Sequence, residues 1–181
     1  PVMCTGCGKS GFMVCDACSA SVPLRQYTKT DIDVSEHIDA CYIASWYDNP
    51  VIERLVQGAK YYGSKKSAQQ LGYILGRYVQ HTLTDTDMLV IVPVPLHPRR
   101  KRERGYNQSE VIAQVVGDML GIKVVKDVVL RKKYTTSQVT LHKKERHANV
   151  ADAFIVQKTC PHKAILLIDD VITTGATCSS I

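Results

Sequence analysis

Residues 164–178 read AILLIDDVITTGATC and are the most informative stretch of the chain. An apolar run typical of a buried strand leads into Asp169 and Asp170, and then into a turn rich in threonine and glycine. In an α/β sheet, ligands bind beyond the carboxyl ends of the strands, which is where these acids and this turn lie. Backbone N–H groups in such a turn can bind a phosphate group, so we predict an anion site here.

Predicted strands and helices alternate along the rest of the chain. The apolar run at residues 88–92 is too short for a buried helix, and the apolar stripe of residues 107–120 ends at Gly121, a residue typical of helix C-terminal caps. Other predicted helices begin near Pro50 and occupy residues 65–83. Further strands are predicted at residues 38–47, 122–125, 128–130, 154–156 and 164–168. This alternation predicts the α/β class, with a mainly parallel sheet covered on both sides.

The acids of the 164–178 stretch constrain its ligand. The turn has neither the Gly-Lys-Ser/Thr ending of a Walker loop nor a Gly-x-Gly-x-x-Gly fingerprint. Ionised carboxylates only accept hydrogen bonds, so beside a phosphate they need hydroxyl donors or a cation. A sugar diol together with magnesium supplies both. The stretch resembles the ribose-phosphate loop of type I phosphoribosyltransferases.

A second stretch is strongly basic. Residues 92–113 read VPVPLHPRRKRERGYNQSEVIA, and their arginines carry forked donors suited to phosphate oxygens. Of the 23 lysines and arginines, five lie at residues 99–104 and six at 131–146, within a net charge of +6. This clustering favours a polyanionic partner, either nucleic acid or a phosphorylated small molecule, over two merely solvated loops. Both anion sites together suit phosphoribosyl pyrophosphate (PRPP).

The first residues carry two cysteine pairs. Cys4, Cys7, Cys15 and Cys18 form two Cys-x-x-Cys units, for which tetrahedral zinc is the natural ligand. The alternative is a redox pair, which is disfavoured because neither unit starts a helix in a βαβ context.

Length and composition predict one domain with a small appendage. The 181 residues divide into a zinc knuckle at 1–20, a connector at 21–37 and a phosphoribosyltransferase-like domain at 38–181. Neither a secretory signal nor an apolar run of about 20 residues is present, so we expect a cytoplasmic protein with reduced cysteines and no membrane span.

The chain as a whole resembles the ComF/GntX family of competence-associated, phosphoribosyltransferase-like proteins. Besides the cysteines and the TTGAT turn, it matches a Lys-Tyr-x-Gly element at residues 60–63 and a PVPLHPRR…RGFNQ stretch, with Tyr106 in place of phenylalanine. A family linker is matched by Arg131, Thr135 or Thr136, Gln138, Arg146 and Asn149.

The resemblance implies roles for these positions. The residues expected to bind the ribose and its 5-phosphate are Asp169, Asp170, Thr173, Thr174, Gly175, Ala176 and Thr177. Those expected to face pyrophosphate and magnesium are Pro95, Arg99, Arg102, Arg104, Gly105, Asn107 and Gln108. Residues 131–149, with Arg131, Gln138, Arg146 and Asn149, are expected to form the flexible loop that closes over substrate, and Lys60 is a further candidate.

The resemblance also implies a biological setting. The family is linked to uptake of single-stranded DNA during natural transformation, and the motifs identify neither an acceptor nor a catalytic base for a pentosyl transferase. The alternative is a non-catalytic module that binds single-stranded DNA and docks a translocating helicase through the knuckle. The chain is expected to stop short of the helix and strand with which the family continues.

Overall fold

A computed structural model describes residues 2–26, 38–84, 86, 89–134, 152–160, 164–173 and 175–181 of the chain. In chain order the elements are α1 (Asp16–Ala20), α2 (Pro50–Tyr61), α3 (Lys65–Thr82), β1 (Leu89–Pro93), α4 (Pro98–Arg104), α5 (Gln108–Leu120), β2 (Val129–Arg131), β3 (Phe154–Val156), β4 (Ala164–Ile168) and α6 (Ala176–Ser179).

The parallel pair β1 and β4 lies at the centre. Leu89 is in register with Ala164 and Pro93 with Ile168, and the Val94 N–H continues the pairing to the Ile168 carbonyl over 2.9 Å. On the other edge of β1, Ile91 forms a parallel bridge to Val124. The predicted α/β class, with parallel pairing flanked by helices and a four-cysteine module, is confirmed.

The two faces of β1 bury different partners because side chains alternate along a strand. Ile91 packs into a core with α2, α3 and α5, whereas Val90 and Val92 pack against the antiparallel pair β2–β3 and against Ala176. The second face is thus covered mainly by a hairpin-like pair, which the expectation of a mainly parallel sheet did not include.

The helices begin and end where their capping residues predict. The Asn49 side chain accepts hydrogen bonds from two N–H groups of α2, which has Pro50 in its first turn, and Ser64 caps α3. Helices α3 and α5 approach closely at Gly72, where an added Cβ would lie 2.7 Å from the Val115 Cβ. This contact fixes α5 against the rest of the core.

Two local predictions were wrong. Residues 38–47 form neither strand nor helix, although they are largely half-buried. The segment makes a backbone hydrogen bond to residues 22–26, from the Arg25 N–H to the Ala44 carbonyl, but no ladder of strand pairing. The basic stretch at residues 92–113, in which no helix was predicted before residue 107, contains helix α4, with Pro98 in its first turn and Gly105 as its left-handed C-cap.

The cysteine-rich segment is packed onto the larger domain. Val14 and Val22 belong to the same buried core as Val51 and Leu55 of α2. The Arg54 guanidinium donates to the Thr5 carbonyl, and a Cβ at Gly6 would lie 2.6 Å from the Cys18 sulfur. The predicted connector is described only through residue 26.

None of the helices in the described ranges combines the length and apolar character needed to cross a membrane.

Asn107 links β1 to α5. Its side chain is fully buried, its Nδ2 donates to the Val94 carbonyl over 2.9 Å, and its Oδ1 accepts the Ser109 N–H as the N-cap of α5. The residue thus sets where α5 starts relative to the end of the central strand.

Replacing Asn107 by alanine should lower the unfolding free energy by about 2–3 kcal/mol, because the helix loses its cap and the Val94 carbonyl loses its donor. Urea denaturation measures the change. Gln114→Ala, on the exposed side of the same helix, is the matched control and should stay within about 0.5 kcal/mol of wild type. An Asn107→Ala protein as stable as the control would contradict this role.

Candidate functional site

The two acids lie directly beyond the carboxyl end of β4, beside the first turn of α5. Asp169 Oδ1 accepts a hydrogen bond from the Ser109 hydroxyl over 3.0 Å and another from the Asp170 N–H over 2.9 Å. Because β1 and β4 are parallel neighbours, the helix that follows β1 begins next to the residues that follow β4. The fold therefore holds the Asp169 carboxylate in one orientation.

Asp170 is in contact with one lysine from the end of α2. The Lys60 Nζ lies 3.1 Å from Asp170 Oδ1, and the Asp170 side chain is only 4% exposed. The end of α2 is fixed in turn by the Tyr106 hydroxyl, which donates to the Ala59 carbonyl over 2.7 Å. The second oxygen, Asp170 Oδ2, is buried and has no hydrogen-bond partner within the described residues. A buried carboxylate oxygen without a donor is costly, so a ligand that supplies one would bind favourably here.

The acid pair is short of positive charge in its immediate surroundings. Burial, followed by the charge of Asp170, raises the pKa of Asp169 to about 7, against the opposing effects of Lys60, the Asp170 N–H and Ser109. Two adjacent carboxylates with one contacting ammonium group cannot both ionise without cost. At neutral pH the pair therefore favours binding of a cation or a proton.

Arginines surround the pair at longer range. Burial lowers the pKa of Arg104, while the charge of Asp170 raises it, and Arg104 also donates to the Gln108 side chain. Burial likewise lowers the pKa of Arg131, the last residue of β2, whereas Asp169 raises it. Arginine keeps its charge at neutral pH, so these groups create a positive field suited to phosphate.

The predicted phosphate turn forms a polar cleft. The cleft is small and partly open to solvent, and its lining comprises Asp169, Val171, Ile172, Thr173, Gly175, Ala176, Thr177 and Cys178. Gly175 has φ +74°, a left-handed conformation that favours glycine, and it caps the start of α6. Thr174 lies outside the described residues. One acid and the turn thus share a cavity.

The predicted pyrophosphate residues do not all reach this cleft. Arg99 lies on the exposed helix α4, where it pairs with Glu103 over 3.0 Å and its guanidinium lies 4.7 Å from the Tyr134 ring centre. Arg102 and Gly105 are exposed and Pro95 is half-buried. Asn107 and Gln108 are buried. Arg104 is thus the residue of this stretch that the structure brings near the acids.

Parts of the predicted flexible loop cannot be placed. The charge of Asp169 raises the pKa of Arg131, so Arg131 lies within electrostatic range of the acid pair, whereas Gln138, Arg146 and Asn149 lie outside the described residues.

Sequence reasoning missed Ser109. It stands in the first turn of the helix after β1, and adjacent parallel strands bring that turn to the acids after β4. The Ser109 hydroxyl in the first turn of the predicted helix was the sequence feature that could have identified it.

The four cysteines of the N-terminal module converge on one point. Their sulfur atoms all lie within 4.8 Å of one another, with Cys7 Sγ 3.6 Å from Cys15 Sγ. Zinc–sulfur bonds of about 2.3 Å place tetrahedral sulfurs roughly 3.8 Å apart, so the cluster could hold a zinc ion.

Hydrogen bonding within the cluster gives its thiols different pKa values. The Cys7 N–H, followed by those of Cys15 and Gly6, lowers the pKa of Cys4 to about 6. The side chains of Cys15 and Cys7 raise the pKa of Cys18 to about 12. Without a cation the four sulfurs cannot all ionise, which is the electrostatic pattern of a metal-ligand set.

Comparison with known proteins gives relatives along most of the chain, although no family model matches it. Competence protein F of Haemophilus influenzae is 29% identical over 188 residues, covering 99% of this chain and 82% of that protein. DNA utilization protein YhgH of Escherichia coli K12 is 30% identical over 135 residues, covering 73% of this chain and 60% of that protein. Competence protein ComFC of Streptococcus pneumoniae is 34% identical over 87 residues, covering 48% of this chain and 36% of that protein.

These relatives agree with the motifs and with the α/β fold carrying a four-cysteine module. These similarities support the resemblance of the chain to the ComF family.

Proposed function

We propose that this protein binds phosphoribosyl pyrophosphate, with magnesium, at the acid pair and the adjoining cleft, and that it does so in the handling of DNA. The observation that carries the proposal is the buried, unpartnered Asp170 Oδ2, next to an Asp169 that lines a polar cleft. Relatives named for competence and DNA utilization support the biological setting.

Each part of the ligand has matching residues. Asp169 and Asp170 would accept hydrogen bonds from the ribose hydroxyls, and the orphaned Asp170 Oδ2 is the oxygen that gains most. The cleft lined by Thr173, Gly175 and Thr177 would hold the 5-phosphate through N–H and hydroxyl donors. The pyrophosphate would face the positive field of Arg104 and Arg131.

Magnesium fits this donor set. It prefers oxygen ligands and is commonly held by one or two carboxylates together with substrate phosphates. The acid pair supplies such carboxylates and lacks a full complement of positive charge. When bound, magnesium would neutralise charge on the phosphates.

The same residues suit pentosyl transfer. In such a reaction the bond from ribose C1 to pyrophosphate breaks with its electron pair leaving on pyrophosphate, and an acceptor electron pair forms the new bond to C1. Arg104 and Arg131 would stabilise the charge on the departing pyrophosphate, and the acids would orient the ribose.

The four-cysteine module is proposed to bind zinc and to dock a protein partner, such as a DNA-translocating helicase. Its Met3 and Phe12 side chains are exposed, while Val14 and Val22 anchor it in the main core. Zinc would therefore stabilise a surface that is attached to the larger domain.

Calorimetric titration with PRPP and magnesium tests the ligand assignment. Asp170→Asn should weaken binding about tenfold or more, because charge-assisted hydrogen bonds contribute about 1.5–3 kcal/mol each. Asp118→Asn, an exposed acid on α5, is the matched control and should bind like wild type. Melting temperatures confirm that both variants are folded. Equal affinity for all three proteins would exclude the acid pair as the binding site.

The raised pKa of Asp169 predicts a pH-dependent stability. The native carboxyl keeps its proton up to pH about 7, whereas the unfolded one loses it near its ordinary value of 3.8, so the unfolding free energy falls as pH rises between these values. Asp169→Asn should therefore gain about 1–3 kcal/mol relative to wild type between pH 4 and pH 8. Urea denaturation at several pH values measures this gain. A constant difference between the two proteins would refute the shift.

Zinc content and melting temperature test the metal assignment. The purified protein should hold about one zinc per chain, and Cys15→Ser should lose the metal and melt at a lower temperature, because folding of such modules is coupled to metal binding. Cys160→Ser, outside the cluster, should keep its zinc. A wild-type protein without zinc, or a Cys15→Ser variant that retains it, would contradict the assignment.

A further inference from the structure

Two successive tyrosines at the end of α2 are unusually exposed. Tyr61 is 58% and Tyr62 79% exposed, whereas Tyr78 and Tyr106 are almost fully buried. Large aromatic rings on a surface offer flat faces for stacking, and nucleobases stack on tyrosine regardless of sequence.

The backbone beneath these rings is held in place. The Ser64 N–H donates to the Gly58 carbonyl over 3.1 Å, and the Tyr106 hydroxyl donates to the Ala59 carbonyl. Gly63 has φ +62°, which lets the chain turn directly from α2 into α3. The rings therefore stand on a fixed turn, and little backbone ordering would be lost when a ligand stacks on them.

This turn adjoins the candidate sugar-phosphate site. Tyr61 directly follows Lys60, whose Nζ is 3.1 Å from Asp170 Oδ1. Arg104 lies within electrostatic range of both Asp170 and Tyr61. A base stacked on Tyr61 would thus lie near Arg104 and the acid pair.

The surroundings are positively charged. Lys65 and Lys66 are exposed in the first turn of α3, immediately after the tyrosines, and Arg102 is exposed on α4. Aromatic rings among exposed cations are the arrangement by which proteins bind single strands: cations contact the phosphates while rings stack on the bases.

We propose that Tyr61 and Tyr62 form a base-stacking platform for single-stranded DNA beside the acid pair. A free base would need a concave pocket to bury its surface, and rings this exposed do not provide one, whereas a strand gains affinity from its phosphates as well. The inference rests on the proposed function in that it places the strand next to the ribose site, and it names the surface that receives the DNA.

Fluorescence anisotropy with a labelled oligothymidylate tests the platform. The double variant Tyr61→Ala/Tyr62→Ala should bind about tenfold or more weakly than wild type, because stacking is lost for at least one base. Its dependence on salt should stay the same, because no charge is removed. The variant Tyr61→Phe/Tyr62→Phe keeps the rings and should bind like wild type.

Two matched controls isolate stacking. Tyr73→Ala removes an exposed tyrosine from the middle of α3 and should not change binding. An abasic strand of equal length keeps the phosphates, and wild type should bind it as weakly as the double alanine variant binds oligothymidylate.

Four results would overturn the inference: no binding of oligothymidylate by wild type, equal binding by the double alanine variant, equal weakening by Tyr73→Ala, or binding of free thymidine as tight as that of the strand. Titration of PRPP into the same proteins separates this outcome from the proposed function. If wild type binds PRPP but not the strand, the platform is wrong and the proposed function stands; if wild type binds the strand but not PRPP, the sugar-phosphate site is wrong and the platform stands.

Discussion

The site depends on two carboxylates buried side by side with one lysine in contact. Asp170 forms an ion pair with Lys60, and Asp169 accepts hydrogen bonds from Ser109 and a backbone N–H. Burial and the charge of Asp170 raise the pKa of Asp169 to about 7. Such a pair is unfavourable unless something else binds it. Arg104 and Arg131 interact electrostatically with the acids and add positive charge, so a ligand with hydroxyls or a cation at one end and phosphates at the other would suit both groups.

Several contacts within the fold position the acid pair and Lys60. Parallel pairing of β1 with β4 places the first turn of α5 beside the acids, and Asn107 fixes that turn to the end of β1. The Tyr106 hydroxyl ties the same region to α2, which carries Lys60 and the exposed tyrosines. The cysteine module shares the core on which α2 packs. Helix α2 thus packs against the cysteine module and also carries Lys60.

Sequence predicted the central elements because local signals and burial agreed there. The apolar run of β4, the stripe of α5 and the caps of α2 and α5 each depend on neighbours along the chain. Residues 38–47 have strand-like composition without a ladder, because pairing depends on a distant partner that composition does not reveal. Helix α4 was missed because its basic residues were interpreted only as ligands. Among the site residues, the acids and Lys60 do come together, Asn107 is buried and caps α5, and Ser109 emerges only from the strand order.

The acid pair thus joins fold and chemistry, because the strand order that brings two carboxylates together also places a small polar cleft and two arginines near them. A crystal structure of the protein with PRPP and magnesium tests this account most directly. We expect ribose hydroxyls or magnesium against Asp169 and Asp170, with a partner for Asp170 Oδ2 and the 5-phosphate in the cleft at residues 173–177. A ligand bound only by the arginines of α4, with the ribose away from both acids, would contradict it.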